Sequence, residues 1–151
     1  MPNRYSVAHQ TAAGTDLPII NLTGSAAVRC NLCHLILGSD PTPADVAGEF
    51  VVDRTTDAGT GGTALTENPL DPLTVAATVA GVGGTFSAAP TDTANSNLLM
   101  IALNQRATFT WWAREGFELI STATSANGLM LNCTGMSSGT PNMNATMAWF
   151  E

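Results

Sequence analysis

The stretch Val28-Arg29-Cys30-Asn31-Leu32-Cys33-His34-Leu35-Ile36-Leu37 (VRCNLCHLIL) decides the fold, because it reads in two incompatible ways. Its middle, Cys30 to His34, spells C-x-x-C-H, the spacing that attaches a c-type haem. On a helical turn, positions 30, 33 and 34 share one face and present two thiols and an imidazole together. On a strand, Cys30 and His34 point one way and Cys33 the other, with the two Cys Cα atoms roughly 10 Å apart. The flanks favour the strand. Val28, Cys30, Leu32, His34 and Ile36 form a period-2 apolar row, opposed at its front by Arg29 and Asn31. Leu35 and Leu37 then make the far end apolar on both faces, as in a strand buried on both sides. Ala26, Ala27 and the leucines keep a helical alternative open.

A strand sets the haem aside. Zinc through Cys30, Cys33, His34 and Cys133 has a suitable ligand set, but Cys33 and His34 would have to reach one ion from opposite faces. The cysteines are read as small buried hydrophobes, and neither a metal nor another cofactor is expected. Cys30 and Cys33 on one face would revive the metal reading.

Outward from this stretch, the chain offers no long amphipathic helix. Short runs rich in Val, Ile, Thr, Phe and Trp are separated by Gly, Pro, Asn and Asp. Expected strands are Arg4–Gln10, Ala27–Leu37, Gly48–Thr55, Leu98–Leu103, Ala107–Arg114, Phe117–Thr122, Leu129–Cys133 and Met143–Phe150. Asn127-Gly128 reads as a hairpin-type turn before the seventh of these. Leu73–Val82 reads equally as a strand or a short helix. The rest of 57–97 reads as loop, with Pro69 and Pro72 interrupting any ladder; a loop-rich excursion this long usually carries function or contacts. The pattern predicts an all-β, antiparallel β-sandwich or jelly roll of about eight strands with long loops. Residues 1–151 are expected to form a single domain.

Composition narrows the function classes. Only 11% of residues are charged and the net charge is −7, where about 25% charged is usual. All five basic residues are Arg. This balance gives no electrostatic reason to bind nucleic acid. No run approaches the roughly 18 apolar residues of a membrane span, so no membrane partner is expected. The opening MPNRYSVAHQTAAGTDLPII lacks the apolar core of a signal peptide. Residence in a reducing cytoplasm is therefore expected, unless an export signal was trimmed. An odd count of three Cys fits the same view. The triplets at Asn21, Asn132 and Asn144 then meet no glycosylation machinery.

Catalytic patterns are weak. Gly59–Gly62 and Gly81–Gly84 share only composition with phosphate loops, lacking GxxxxGK[ST] or GxGxxG. Asp53 with Asp57, and Glu115 with Glu118, are spaced as carboxylate pairs, yet such pairs also keep strand ends soluble. Neither His lies in a nucleophile motif such as GxSxG. Trp111 and Trp112 are neighbours on one strand and face opposite sides, as do Trp149 and Phe150. Apolar residues on both faces suggest a second covering surface, modestly favouring an oligomer.

Three segments carry a family resemblance: RYSVAHQTAAGTDLPIINLTGSAAVR (4–29), DRTTDAGTGGTALTENPLDP (53–72) and ATFTWWAREGFELISTATSANGLMLN with ATMAWFE at the close. Together they resemble the jelly-roll head decoration (cement) proteins of tailed bacteriophages. The resemblance implies a non-enzymatic virion protein, made in the host cytoplasm and bound to the outer surface of the capsid. Its partners would be the major capsid protein and copies of itself, with a trimer favoured. The family pattern gives no role to the thiols and imidazole at 30–34. The expected interface residues are Arg4 and Tyr5 on the first strand and Leu65, Pro69 and Leu70 on the long loop. The rival expectation is a carbohydrate-binding β-sandwich, or a phage-associated glycan-hydrolysing domain, with Trp112 stacking on sugar beside Glu115 and Glu118.

Overall fold

A computed structural model describes residues 2–12, 16–135 and 142–151, and these residues contain strands and no helix. In chain order the strands are β1 (Arg4–Ala12), β2 (Asp16–Thr23), β3 (Asn31–Asp40), β4 (Ala47–Thr55), β5 (Thr63–Ala64) and β6 (Asn68–Pro69). They continue as β7 (Ala80–Gly83), β8 (Leu99–Asn104), β9 (Phe109–Trp112), β10 (Leu119–Ile120), β11 (Gly128–Thr134) and β12 (Asn142–Phe150). One sheet runs β10-β3-β12-β1-β6, with β9 also on β3; the other runs β5-β7-β2-β11-β4-β8.

The longer strands pair as nested antiparallel partners: β1 with β12, β2 with β11, β3 with β9, and β4 with β8. Shared between two sheets, this gives β9-β3-β12-β1 facing β2-β11-β4-β8. Such a rolled-up set of nested pairs is the jelly-roll arrangement of the antiparallel sandwich. The cause is the period-2 pattern, since each long strand has one apolar face to bury and two sheets bury each other's. Tyr5, Val7, Leu35, Leu37, Met147 and Trp149 from one sheet meet Ile20, Leu22, Phe50, Val52, Leu129 and Leu131 from the other in one core.

The stretch at 28–37 forms a strand, but not with the expected parity. Opposite it, Ala148 pairs with His34 while the next residue, Trp149, pairs with Leu32. Cys33 is thus an extra residue, a β-bulge that switches which side chains face inward. Cys30 and Leu32 point into the core before it, and Leu35 and Leu37 after it. His34 and Ile36 are only partly buried. The expected single row from Val28 to Ile36 is therefore broken at Cys33. The run that looked apolar on both faces is one inward row shifted by a residue.

Two other expectations change. β2 was not among the expected strands, because Pro18 and Asn21 break its alternation. The proline is accommodated beside a second bulge, where Leu131 pairs with Ile20 and Asn132 with Pro18, a position where a strand tolerates a missing N–H. The Leu73–Val82 segment is irregular until Ala80, where β7 begins. The long excursion adds to existing edges: β6 to β1, β7 to β2 and β5 to β7. Thr56 and Thr93 continue along β4 by hydrogen bonds to Thr91 and Arg54 at 2.9 and 2.7 Å.

Candidate functional site

The sequence Asn68-Pro69-Leu70-Asp71-Pro72-Leu73 places Leu70 between two prolines that cannot donate to a ladder, and Leu73 and Val75 just beyond them. With no strand to bury them, Leu70 and Val75 are exposed and Leu73 is 93% exposed. The segment is nevertheless tied at several points. Pro69 pairs with Tyr5, and the Leu70 N–H donates to the Arg4 carbonyl at 2.8 Å. The Tyr5 hydroxyl donates to the Val75 carbonyl at 2.9 Å. Past it, the Thr78 and Val79 N–H groups donate to the Glu151 carboxylate at 3.0 and 2.8 Å. The result is an apolar knuckle held in place by β1 and the end of the chain, so little ordering entropy remains to be lost when it is covered.

Four of the five expected interface residues meet here. Arg4 and Leu70 line a cleft of about 300 Å³ together with Asn3, Asp71 and Thr74. Tyr5 is buried against Trp149 with ring centroids 5.8 Å apart, so it anchors the knuckle from beneath rather than lining its surface. Pro69 is half-buried beside it. Leu65 lies apart, packed on the core with its N–H donating to the Gly81 carbonyl at 2.9 Å. Leu73 and Val75 were missed by sequence reasoning. The signal was present, since Leu73 sits one residue beyond Pro72 and could have been read as unpaired.

On the outer face of the other edge, the register aligns Ser6, Ala148, His34 and Trp112 across four strands. The His34 and Trp112 rings stack nearly parallel, 3.5 Å between centroids and 11° between planes. Burial lowers the His34 pKa, which favours the neutral ring under the indole. β9 and β10 both pair with β3, and the turn between them carries Glu115, Phe117 and Glu118. Trp112, Glu115 and Glu118, expected to act together in the carbohydrate reading, do line one cavity.

The cysteine and histidine set does not converge. Cys30 and Cys133 are core residues; Cys33 is half-buried, with its thiol against the Ala148 carbonyl at 3.3 Å. Among the described residues no group of three or more His, Cys, Asp or Glu is placed to hold a metal ion. Burial pushes the Cys30 thiol well up and Cys133 up to about 12. Cys33 is raised less, again by burial, with Arg4 opposing. The thiolate is the reactive form, so a thiol reagent near neutral pH is expected to label the native protein slowly, at Cys33 alone. All three should react after denaturation. Two fast-reacting thiols in the native state would contradict this packing.

The carboxylate pair at 53 and 57 separates by role. Asp53 is buried, its pKa raised by burial and by Asp92. Asp57 accepts from the Gly59 and Thr91 N–H groups at 2.8 and 3.3 Å; its pKa is lowered first by the Thr91 side chain and then by these backbone bonds. No family model matches the chain, and neither a curated protein nor a solved structure matches it.

Proposed function

We propose that this chain is a head decoration (cement) protein of a tailed bacteriophage, a non-enzymatic subunit that docks on the outside of the assembled capsid. The observation that carries the reading is the tethered apolar knuckle, Leu70, Leu73 and Val75 beside Arg4. Its fixed geometry suits a lattice that presents one repeated surface. The jelly-roll sandwich, the sparse charge and the sequence resemblance support the same reading. A protein that binds only the assembled shell stabilises it by its binding free energy. A trimer would multiply modest contacts through avidity, and the copies are expected to associate in that state.

The test is co-sedimentation with purified empty phage heads. The native protein is expected to pellet with the heads at saturable stoichiometry. Burying a Leu side chain contributes about 1.5–3 kcal/mol. The double variant Leu70→Asp with Leu73→Asp removes two such contributions and adds charge, so its affinity should fall by about 100-fold or more. Both side chains are exposed, so the fold should persist. Native protein that stays in the supernatant, or a double variant that pellets equally well, rejects the proposal.

A further inference from the structure

The outer face at β9 holds a second surface, which borders the knuckle at Arg4. Trp112 is 67% exposed although its ring is stacked on His34. One face of the indole is thereby fixed against the imidazole and the other is free. The strand is pinned just beyond it, where the Ala113 N–H donates to the Cys33 carbonyl at 2.9 Å. The chain then turns through Gly116, whose φ of +81° needs a residue without a side chain. The Gly116 N–H donates to Glu118 Oε1 at 3.2 Å, which orients that carboxylate. Trp112, Glu115, Glu118, Arg4 and Phe150 surround a cavity of about 540 Å³, within the range of roughly 300–1,000 Å³ found for small-ligand sites.

The chemistry of this lining selects a class of ligand. An anion would meet two carboxylates, in a protein of net charge −7. A cation would meet the Arg4 guanidinium in the same space. A neutral ligand with many hydroxyls satisfies both, because carboxylates accept from O–H groups and the guanidinium donates to their oxygens. A flat, rigid aromatic face then takes the ligand's apolar side with little rotamer entropy to lose. We infer that this face binds a neutral saccharide, its sugar ring seated on Trp112 and its hydroxyls held by Glu115, Glu118 and Arg4. This site stands on different residues from the knuckle, apart from Pro2 and Arg4 at their shared border. The inference does not depend on capsid docking.

The experiment is native gel electrophoresis in gels containing soluble α-glucan, β-glucan, galactomannan or xylan, followed by fluorescence titration with the matching oligosaccharide. At least one of the four is expected to retard the native protein and to change the emission of Trp112. Trp112→Ala should weaken binding by about tenfold or more, while keeping its circular dichroism spectrum. Phe117→Ala, at a side chain 73% exposed and outside the cavity lining, should bind as the native protein does. Glu118→Gln, which leaves the ring stack intact, should also weaken retention and serves if Trp112→Ala does not fold. The inference is overturned if none of the four polysaccharides is bound, if both variants bind unchanged, or if only choline or an anionic polysaccharide is bound.

Discussion

Replacing Trp149 with alanine is expected to cost about 3–5 kcal/mol of folding stability. Trp149 heads the largest fully buried side chains and is 0% exposed. It lies on β12, which is flanked by β1 and β3, so no sheet edge is free to close over the lost volume. Its neighbours across the sheet are Tyr5 and Leu32, and the Tyr5 ring is stacked on it. A domain of this size has a total of about 5–15 kcal/mol, so the variant loses a large share of its stability. The effect should reach the knuckle as well. The indole N–H donates to Glu151 Oε1 at 3.3 Å, the oxygen that also takes the Val79 N–H. Trp149→Phe keeps a ring against Tyr5 and should cost clearly less. Urea titration followed by circular dichroism measures both. An alanine variant within about 1 kcal/mol of native, at unchanged m, would mean that the ring is not sealed between the sheets.

The two halves of the chain were not equally legible. β1 and β12 were readable because Tyr5 and Val7, and Met143, Ala145, Met147 and Trp149, recur at every second residue in the core. Alternation with period 2 is the direct imprint of one buried face. The class of fold followed from such strands and the turn residues between them. What the pattern hid was the bulges. At Cys33 and beside Pro18 one extra residue changes parity, and a period-2 reading carried through either point assigns the wrong face. The C-x-x-C-H match depended on that. Its thiols do fall on different sides, as a strand requires, but His34 lies outward under Trp112 instead of inward beside Cys30.

The candidate surfaces were legible in part. Pro69 and Pro72 were expected to interrupt any ladder, but Pro69 pairs with Tyr5 at the sheet edge, where a missing N–H is tolerated; the chain leaves the sheet only beyond Leu70. The approach of Leu70 to Arg4 is a contact across 66 positions of sequence that no local pattern carries. Trp112 was readable as the outward member of its pair with Trp111, whereas its support by His34 depended on the bulge. Tyr5 shows the reverse problem. Its place on the first strand made it an expected interface residue, but an aromatic ring in an inward row buries its body and needs only one acceptor for the hydroxyl, here the Val75 carbonyl.

Gly128→Ala is expected to destabilise the protein by about 2 kcal/mol or more, opposite in sign to what propensity alone predicts. Alanine in place of glycine within a strand normally gains about 0.5–1 kcal/mol, since the unfolded chain loses freedom. At this position the gain is overridden by contact. Gly128 opens β11 between Thr23 of β2 and Thr55 of β4. A Cβ there would come closer than 3.0 Å to the Leu22 carbonyl oxygen and to 3.0 Å from Asn21 Oδ1. Neither neighbour can swing away, because the first is backbone within a paired strand and the second belongs to a fully buried side chain. Asn21 also leans across the glycine to accept from the Thr55 hydroxyl at 3.4 Å, a bond that a methyl group would obstruct. The glycine is therefore needed for close approach of strands, although Asn127-Gly128 reads in sequence as a turn. The positive φ in that region belongs to Ala126 instead. Gly38 on β3 provides the contrast, since a Cβ there meets only Thr108 Oγ1 at an ordinary 3.7 Å. Gly38→Ala should be neutral or slightly stabilising in the same urea titration. If both substitutions shift the midpoint upward alike, β2 and β11 do not approach as closely as described, and the centre of the second sheet must be redrawn.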